Sequence, residues 1–259
     1  MHLIEKISQI FGNFTTHKGI VVLMYHRINN GIPGDPLAVD PKEFARQMFF
    51  LNCYRNRFEI ITLTQMLDFV KNDFPKGDNK TRILITFDDG YRDNYLYAYP
   101  ILKKYNFPAV IFLITGSIGT EQKRERYGFL PWKRDFLNKE EIVEMMRSRI
   151  VFGAHTKTHP RLTQIEQSQA DAEISKSCAD VATITGSVPA AFAYPYGDYN
   201  EDVENSVRKK GFSCAFTVES GINEIGQNGF RIKRISILQE DSFSSFKYKI
   251  TDKHLLGTR

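Results

Sequence analysis

Five short apolar runs punctuate the chain: Ile20-Val21-Val22-Leu23-Met24-Tyr25, Ile83-Leu84-Ile85-Thr86-Phe87, Ala109-Val110-Ile111-Phe112-Leu113-Ile114, Ile150-Val151-Phe152-Gly153-Ala154 and Ala190-Ala191-Phe192-Ala193-Tyr194. None alternates apolar with polar. A strand with no polar face must be covered on both sides, which a parallel sheet with helices on each face provides. Further strands are expected over 58–61, 214–218 and 231–237. Helices are expected over 41–51, 63–70, 95–105 and 139–146, and over 167–185, where Gly186 stops the last one. Seven or eight such strand–helix units can close into a barrel. With 259 residues, 42% of them hydrophobic, the chain can fill the core of one such domain.

Charge and cysteine usage exclude several classes. A formal net charge of +5 permits an acidic partner without demanding one, and nucleic-acid binding, which would rest on that excess alone, is not expected. The three cysteines, Cys53, Cys178 and Cys214, are far apart and form no CxxC, so neither a disulfide framework nor a cysteine zinc site is indicated. No secretory signal pattern opens the sequence, and no stretch approaches the ~18 apolar residues of a membrane span. A cytoplasmic protein is expected. Residues 1–18 stand apart as an amphipathic helix, with Leu3, Ile4, Ile7, Ile10, Phe11 and Phe14 on one stripe. That stripe either packs on the domain or gives a peripheral membrane contact. The main domain is expected over 19–250, followed by a tail over 251–259.

The chemistry sits where apolar runs stop. Thr86-Phe87-Asp88-Asp89-Gly90 ends one run, and His155-Thr156-Lys157-Thr158-His159 follows another. Parallel barrels carry their active sites at the carboxyl ends of the strands, and His26, Asp88, Asp89, His155, His159, Tyr196 and Arg234 all fall at or near such ends. His155 and His159 are four apart, which puts both imidazoles on one side of a helix or turn. Thr156 stands where a zincin would need Glu, so the third ligand must come from elsewhere, and Asp89 is the natural one. Two imidazoles and one carboxylate with an open position make a catalytic rather than a structural set. One acid of the Asp pair is then left over to face a bound water, and Gly90 lets the backbone turn beneath them. The loop over 115–138 is long for a compact domain and holds the only tryptophan, Trp132, suited to stacking on a sugar.

These two clusters, in this order, resemble the polysaccharide deacetylases of carbohydrate esterase family 4, the NodB homology domain, over about residues 20–240. The resemblance implies a distorted parallel (β/α)7 barrel and a divalent metal, Zn²⁺ or else Ni²⁺ or Co²⁺. It implies removal of acetyl from N-acetylglucosamine units of an oligo- or polysaccharide, free or lipid-linked. Carried over, Asp88 matches the catalytic base, and Asp89, His155 and His159 match the metal ligands. Ala191-Phe192-Ala193-Tyr194-Pro195-Tyr196-Gly197 aligns with the third motif, which assigns the Tyr196 N–H to the developing oxyanion. Two departures follow. Ala193 stands where the family has the Arg that orients the base, and the late Leu-x-x-His motif is missing. Met24-Tyr25-His26-Arg27 is similar to an early Tyr-His of the poly-N-acetylglucosamine deacetylase branch, making His26 the candidate acid; the alternative is a histidine packed at a strand end. Arg234 is open between a stand-in for the missing Arg, a substrate contact and a surface charge. Trp132, Tyr194, Pro195 and Arg234 complete the expected substrate-binding set. Rival readings keep the metal and change the substrate, to an O-acetyl ester or an N-formyl sugar, or drop catalysis for sugar binding.

Overall fold

The computed structural model describes residues 19–30, 35–72, 80–124 and 132–251. The expected helix over 1–18 lies outside them, as does the tail beyond Thr251. In chain order the elements are β1 (Ile20–Tyr25), β2 (Arg27–Ile28), β3 (Ala38–Val39), α1 (Pro41–Cys53), β4 (Phe58–Ile60), α2 (Leu63–Lys71) and β5 (Thr81–Phe87). A π-helical turn (Asn94–Ala98) then leads into α3 (Tyr99–Tyr105), followed by β6 (Ala109–Leu113), β7 (Glu121–Arg124), β8 (Trp132–Asp135), α4 (Lys139–Met146) and β9 (Ile150–Ala154). The chain closes with α5 (Gln167–Thr185), β10 (Ala191–Ala193), α6 (Glu201–Lys209), β11 (Cys214–Phe216), β12 (Ile235–Ser236) and α7 (Phe243–Thr251).

The main sheet runs β11-β10-β9-β6-β5-β1-β12 with every pair parallel, and β4 pairs with the first half of β5. Its two edges meet. Phe216 bridges Ile232, and the Thr217 N–H donates to the Ile232 carbonyl at 2.9 Å. The result is the expected distorted (β/α)7 barrel, closed by a segment that leads into β12 rather than by a full strand.

Residues alternate between two dry environments. Val22, Leu84, Val110, Phe112, Ala193, Phe216 and Ile232 share the barrel interior, while Val21, Leu23, Ile83, Ile85 and Ile111 pack under the helices. This double burial is the reason the strands show no polar alternation. Met66 and Val70 of α2 join the interior cluster together with the first residues of β1, β10 and β11, so α2 stops the barrel at the end opposite the motifs. A Thr62–Gln65 capping box starts that helix.

Three elements depart from expectation. The loop over 115–138 contains an antiparallel hairpin, β7–β8, which its charged composition hides. α6 presents only Val203 and Val207 as apolar positions and is held by end chemistry instead. Its Asn200 side chain accepts from the Val203 N–H, acids fill its first turn, and Arg208 and Lys209 lie in its last. The strand expected over 231–237 shortens to Ile235–Ser236, because the Ile232 and Arg234 N–H groups are spent on Ala215 and Glu219 carbonyls at the barrel seam. Among the described residues no helix is long and apolar enough to cross a membrane.

Candidate active site

The Asp-Asp-Gly turn sends its two acids in different directions. β5 ends at Phe87, and the Asp88 N–H still donates to Tyr25 of the neighbouring strand. Asp89 and Gly90 then both take positive φ, 71° and 73°. At position 90 a Cβ would fall 2.7 Å from the Leu113 side chain, so only glycine fits the turn.

Asp88 meets a cation inside the barrel. Arg234 is fully buried, with its guanidinium over the paired rings of Phe112 and Phe216, 5.7 and 5.9 Å from their centroids. Its Nη1 and Nη2 donate to the two Asp88 carboxylate oxygens at 2.6 and 2.7 Å, and its Nε donates to the Thr217 carbonyl at 2.7 Å. Burial alone would raise the Asp88 carboxyl, but the guanidinium, with His155 and His26 nearby, holds it far below the usual carboxylate range.

Asp89 turns the other way, to the two imidazoles. Its Oδ1 lies 3.5 Å from His155 Nε2 and 3.5 Å from His159 Nε2, and the two Nε2 atoms are 3.2 Å apart. His155 Nδ1 lies 2.7 Å from the Ala193 carbonyl; as that oxygen can only accept, Nδ1 carries a proton, and Nε2 is the nitrogen turned to Asp89. Burial, reinforced by the His155 neighbour, lowers His159 to about 4, which leaves it neutral at physiological pH. Burial raises the Asp89 carboxyl, and His159, His26 and His155 together pull it below its ordinary value. The Asp89 Oδ1 is buried with no hydrogen-bond partner.

This triangle fits a cation. Ligand atoms about 2.0–2.1 Å from a tetrahedral ion stand about 3.3 Å from one another, and the three observed separations bracket that value. An orphaned buried carboxylate oxygen aimed at two imidazole nitrogens is hard to account for in any other way.

The family model for polysaccharide deacetylase matches residues 76–215. The chain belongs to the polysaccharide deacetylase family. It is 31% identical over 225 residues to YxkH of Bacillus subtilis (strain 168), a protein named for the same family, covering 87% of this chain and 74% of that one. It is 28% identical over 216 residues to the poly-beta-1,6-N-acetyl-D-glucosamine N-deacetylase of Staphylococcus aureus (strain MSSA476), covering 80% of this chain and 69% of that one. Among solved structures, the Streptococcus pyogenes deacetylase PplD in complex with acetate superposes with a TM-score of 0.77 at 25% identity, covering 92% of this chain and 100% of that one. IcaB from Ammonifex degensii superposes with a TM-score of 0.74 at 25% identity, covering 91% and 97%.

In this deacetylase three of the expected substrate contacts, Arg234, Tyr194 and Pro195, are buried. Arg234 is no surface group; it lies beneath the site, in the layer of the barrel where an apolar side chain would be usual. Tyr194 is fully buried, its hydroxyl donating to the Phe230 carbonyl at 3.2 Å and its ring stacked on Tyr199. Pro195 is buried at the start of its turn. Tyr196 does face out, 38% exposed, in the left-handed conformation at φ 60°. Its ring centroid lies 4.6 Å from that of His159, and the Arg161 guanidinium covers it at 4.3 Å. Trp132 opens β8 in register with Arg124. That hairpin is tied to the Asp-Asp-Gly turn, since Leu137 N–H donates to Gly90 and Arg92 N–H to Asp135.

His26 follows β1 directly, near enough to Asp88, Asp89 and His159 to pull on the charge of each. A buried network that sequence reasoning missed holds its backbone. Asn94 Nδ2 donates to the His26 carbonyl at 2.9 Å and to Asp93 at 3.2 Å, and Asp93 accepts from Arg27 Nε at 2.8 Å and from the Ile28 N–H at 3.2 Å. Asp93 stands at the head of the π-helical turn yet makes no capping hydrogen bond there. The available signal was the proximity of Arg27 to His26 and of Asp93-Asn94 to the acidic turn.

Proposed function

We propose that this enzyme hydrolyses the N-acetyl groups of N-acetylglucosamine units in an oligo- or polysaccharide, releasing acetate. The observation that carries the reading is a buried, ionised Asp88 beside the Asp89–His155–His159 triangle. That is one carboxylate more than a metal needs. The Staphylococcus aureus relative, named for acting on poly-β-1,6-N-acetylglucosamine, supports the choice of sugar.

Asp89, His155 and His159 would hold a divalent cation, Zn²⁺ or else Ni²⁺ or Co²⁺. When bound, such an ion supplies Lewis acidity, which acidifies water and polarises a carbonyl. Asp88 accepts the proton of the attacking water. Its lowered pKa makes it a weak base, so it needs water already acidified by its surroundings. The Tyr196 N–H, on the turn beside His159, donates to the oxyanion that develops as the carbonyl carbon becomes tetrahedral; one such donor is typically worth about 3 kcal/mol. His26 gives a proton to the nitrogen as the C–N bond breaks, because an amine leaves poorly as an anion. Acetate and a glucosamine unit result, and a neutral amide on the polymer becomes an ammonium.

Arg234 also weighs against a non-catalytic sugar-binding role. Two departures favour that reading, Ala193 in place of an arginine and the missing late Leu-x-x-His motif; Arg234 answers the first, since its guanidinium reaches the base from the barrel seam instead. The deciding experiment is acetate release from defined β-1,6-linked N-acetylglucosamine oligomers, before and after chelation and Zn²⁺ re-addition. Chelation should abolish release and Zn²⁺ should restore it; release that survives full metal removal overturns the proposal. N-formyl and O-acetyl analogues run in parallel fix the acyl group.

A further inference from the structure

The two histidines of the triangle are four residues apart, yet no helix sets their spacing. They sit at the ends of an irregular turn after β9, in which Thr156 and His159 both take φ 63°. For residues other than glycine, and above all for a β-branched threonine, that conformation is uncommon and costs on the order of 1–3 kcal/mol. Within the turn one hydrogen bond resists relaxation, from the His159 N–H to Thr156 Oγ1 at 2.9 Å. The remaining restraints come from outside.

One is the neighbouring turn, where Thr115 and Gly116 N–H groups donate to the Thr156 and Lys157 carbonyls at 3.1 and 2.8 Å. Another is a single carboxylate on α5. Glu173 Oε2 accepts from both the Lys157 and the Thr158 N–H at 2.8 Å, and its Oε1 accepts from Thr158 Oγ1 at 2.9 Å. All three donors lie between the two imidazoles in sequence. Hydrogen bonds to an ionised acceptor are roughly twice as strong as neutral ones. The half-buried Glu173 touches none of the three ligand side chains, so its effect on them passes through the backbone.

We propose that Glu173 is a positioning residue for the metal centre, fixing the turn so that His155 and His159 present their Nε2 atoms at cation-binding separation before any ion arrives. Without it, the two strained residues can relax toward ordinary backbone angles and the imidazoles part. This rests on the reading that Asp89, His155 and His159 bind a metal.

The test is Zn²⁺ affinity of folded apo-protein, measured by competition with a chromophoric chelator, alongside the apo melting temperature and the imidazole NMR signals. Glu173→Ala should weaken Zn²⁺ binding by about 10–100-fold, the range usual for groups that orient metal ligands, and should disperse the imidazole signals of the apo-protein. Glu173→Gln keeps a carbonyl oxygen for the two N–H groups and should recover most of that affinity. Zn²⁺ affinity of Glu173→Ala within twofold of wild type, whatever its melting temperature, leaves Glu173 a merely structural role and overturns the proposal. If Glu173→Ala does not fold, Thr158→Val removes one of the three bonds and decides instead: a drop of several-fold supports the proposal, and unchanged affinity overturns it. Wild-type protein that binds no Zn²⁺ refutes the metal site itself, an outcome separate from a wild type and variant that bind equally well.

Discussion

The guanidinium of Arg234 grips both carboxylate oxygens of Asp88, at 2.6 and 2.7 Å, in a barrel interior that excludes solvent from both side chains. The pair shares its buried surroundings with Phe112 and Phe216, so neither charge has water to fall back on. Removing one partner of a buried ion pair typically costs about 3–5 kcal/mol, far more than the net worth of the pair.

Arg234→Met should therefore invert the pH behaviour of Asp88. In the wild type the folded carboxyl is held below its unfolded value. Its contribution to stability is complete above the ordinary carboxylate range and is lost only as pH falls through the folded value. In the variant only His155 and His26 are left to oppose burial, the largest influence on this carboxyl, and the folded value should rise above the unfolded one. Denaturant unfolding should then show a protein that gains stability as pH is lowered from 7 toward 5, with the acid limb of kcat/KM displaced upward. An acid limb unmoved from wild type would detach Arg234 from the base.

Asp88→Asn and Asp89→Asn separate the two acids by role. The first should lose about 10²–10⁴-fold in turnover, the usual range for a general base, while binding Zn²⁺ as tightly as wild type. The second should lose Zn²⁺ binding itself. Metal analysis of the two purified variants, read beside acetate release, checks both; equal metal contents would contradict the division.

His26→Ala should discriminate by leaving group. An amide nitrogen needs a proton to depart and an activated aryl ester does not. The ratio of amide to ester kcat/KM should fall by at least about tenfold. Equal losses on the two substrates would assign His26 to packing at the end of β1.

Gly153→Ala tests how the barrel is filled. A Cβ there would lie 2.5 Å from the Phe112 ring and 2.8 Å from the Ala191 carbonyl. Overpacking of this kind costs typically about 1–3 kcal/mol, to be read from urea unfolding. Because Phe112 also flanks Arg234, a loss of turnover beyond the loss of stability would show that this strain reaches the base.

The barrel was legible because its strands are apolar on both faces, and the metal triangle was legible because its ligands lie in two compact motifs at strand ends. What stayed hidden depends on side-chain direction and on distance along the chain. In Arg231-Ile232-Lys233-Arg234-Ile235, two adjacent charges interrupt the alternation, and nothing local says which face points inward. Only the barrel seam, where Ile232 bridges Phe216, turns Arg234 toward Asp88. Tyr194 sits in a motif associated with the site, yet its own aromatic neighbours bury it. α6 escaped notice because two valines among charges make a weak stripe, and its caps carry the helix instead.

Asp88 and Arg234 are 146 residues apart, and the arginine arrives just ahead of β12. During synthesis the acidic turn, both histidines and every strand of the main sheet except β12 emerge before the segment that carries Arg234. Up to that moment the barrel has an open seam and an acid with no cation to receive it. Its carboxylate then prefers water to the apolar interior. Closure of the seam and pairing of Asp88 with its cation are thus a single event. A product truncated before residue 234 should retain most of the sequence motifs that mark the family and still lack the chemistry they advertise.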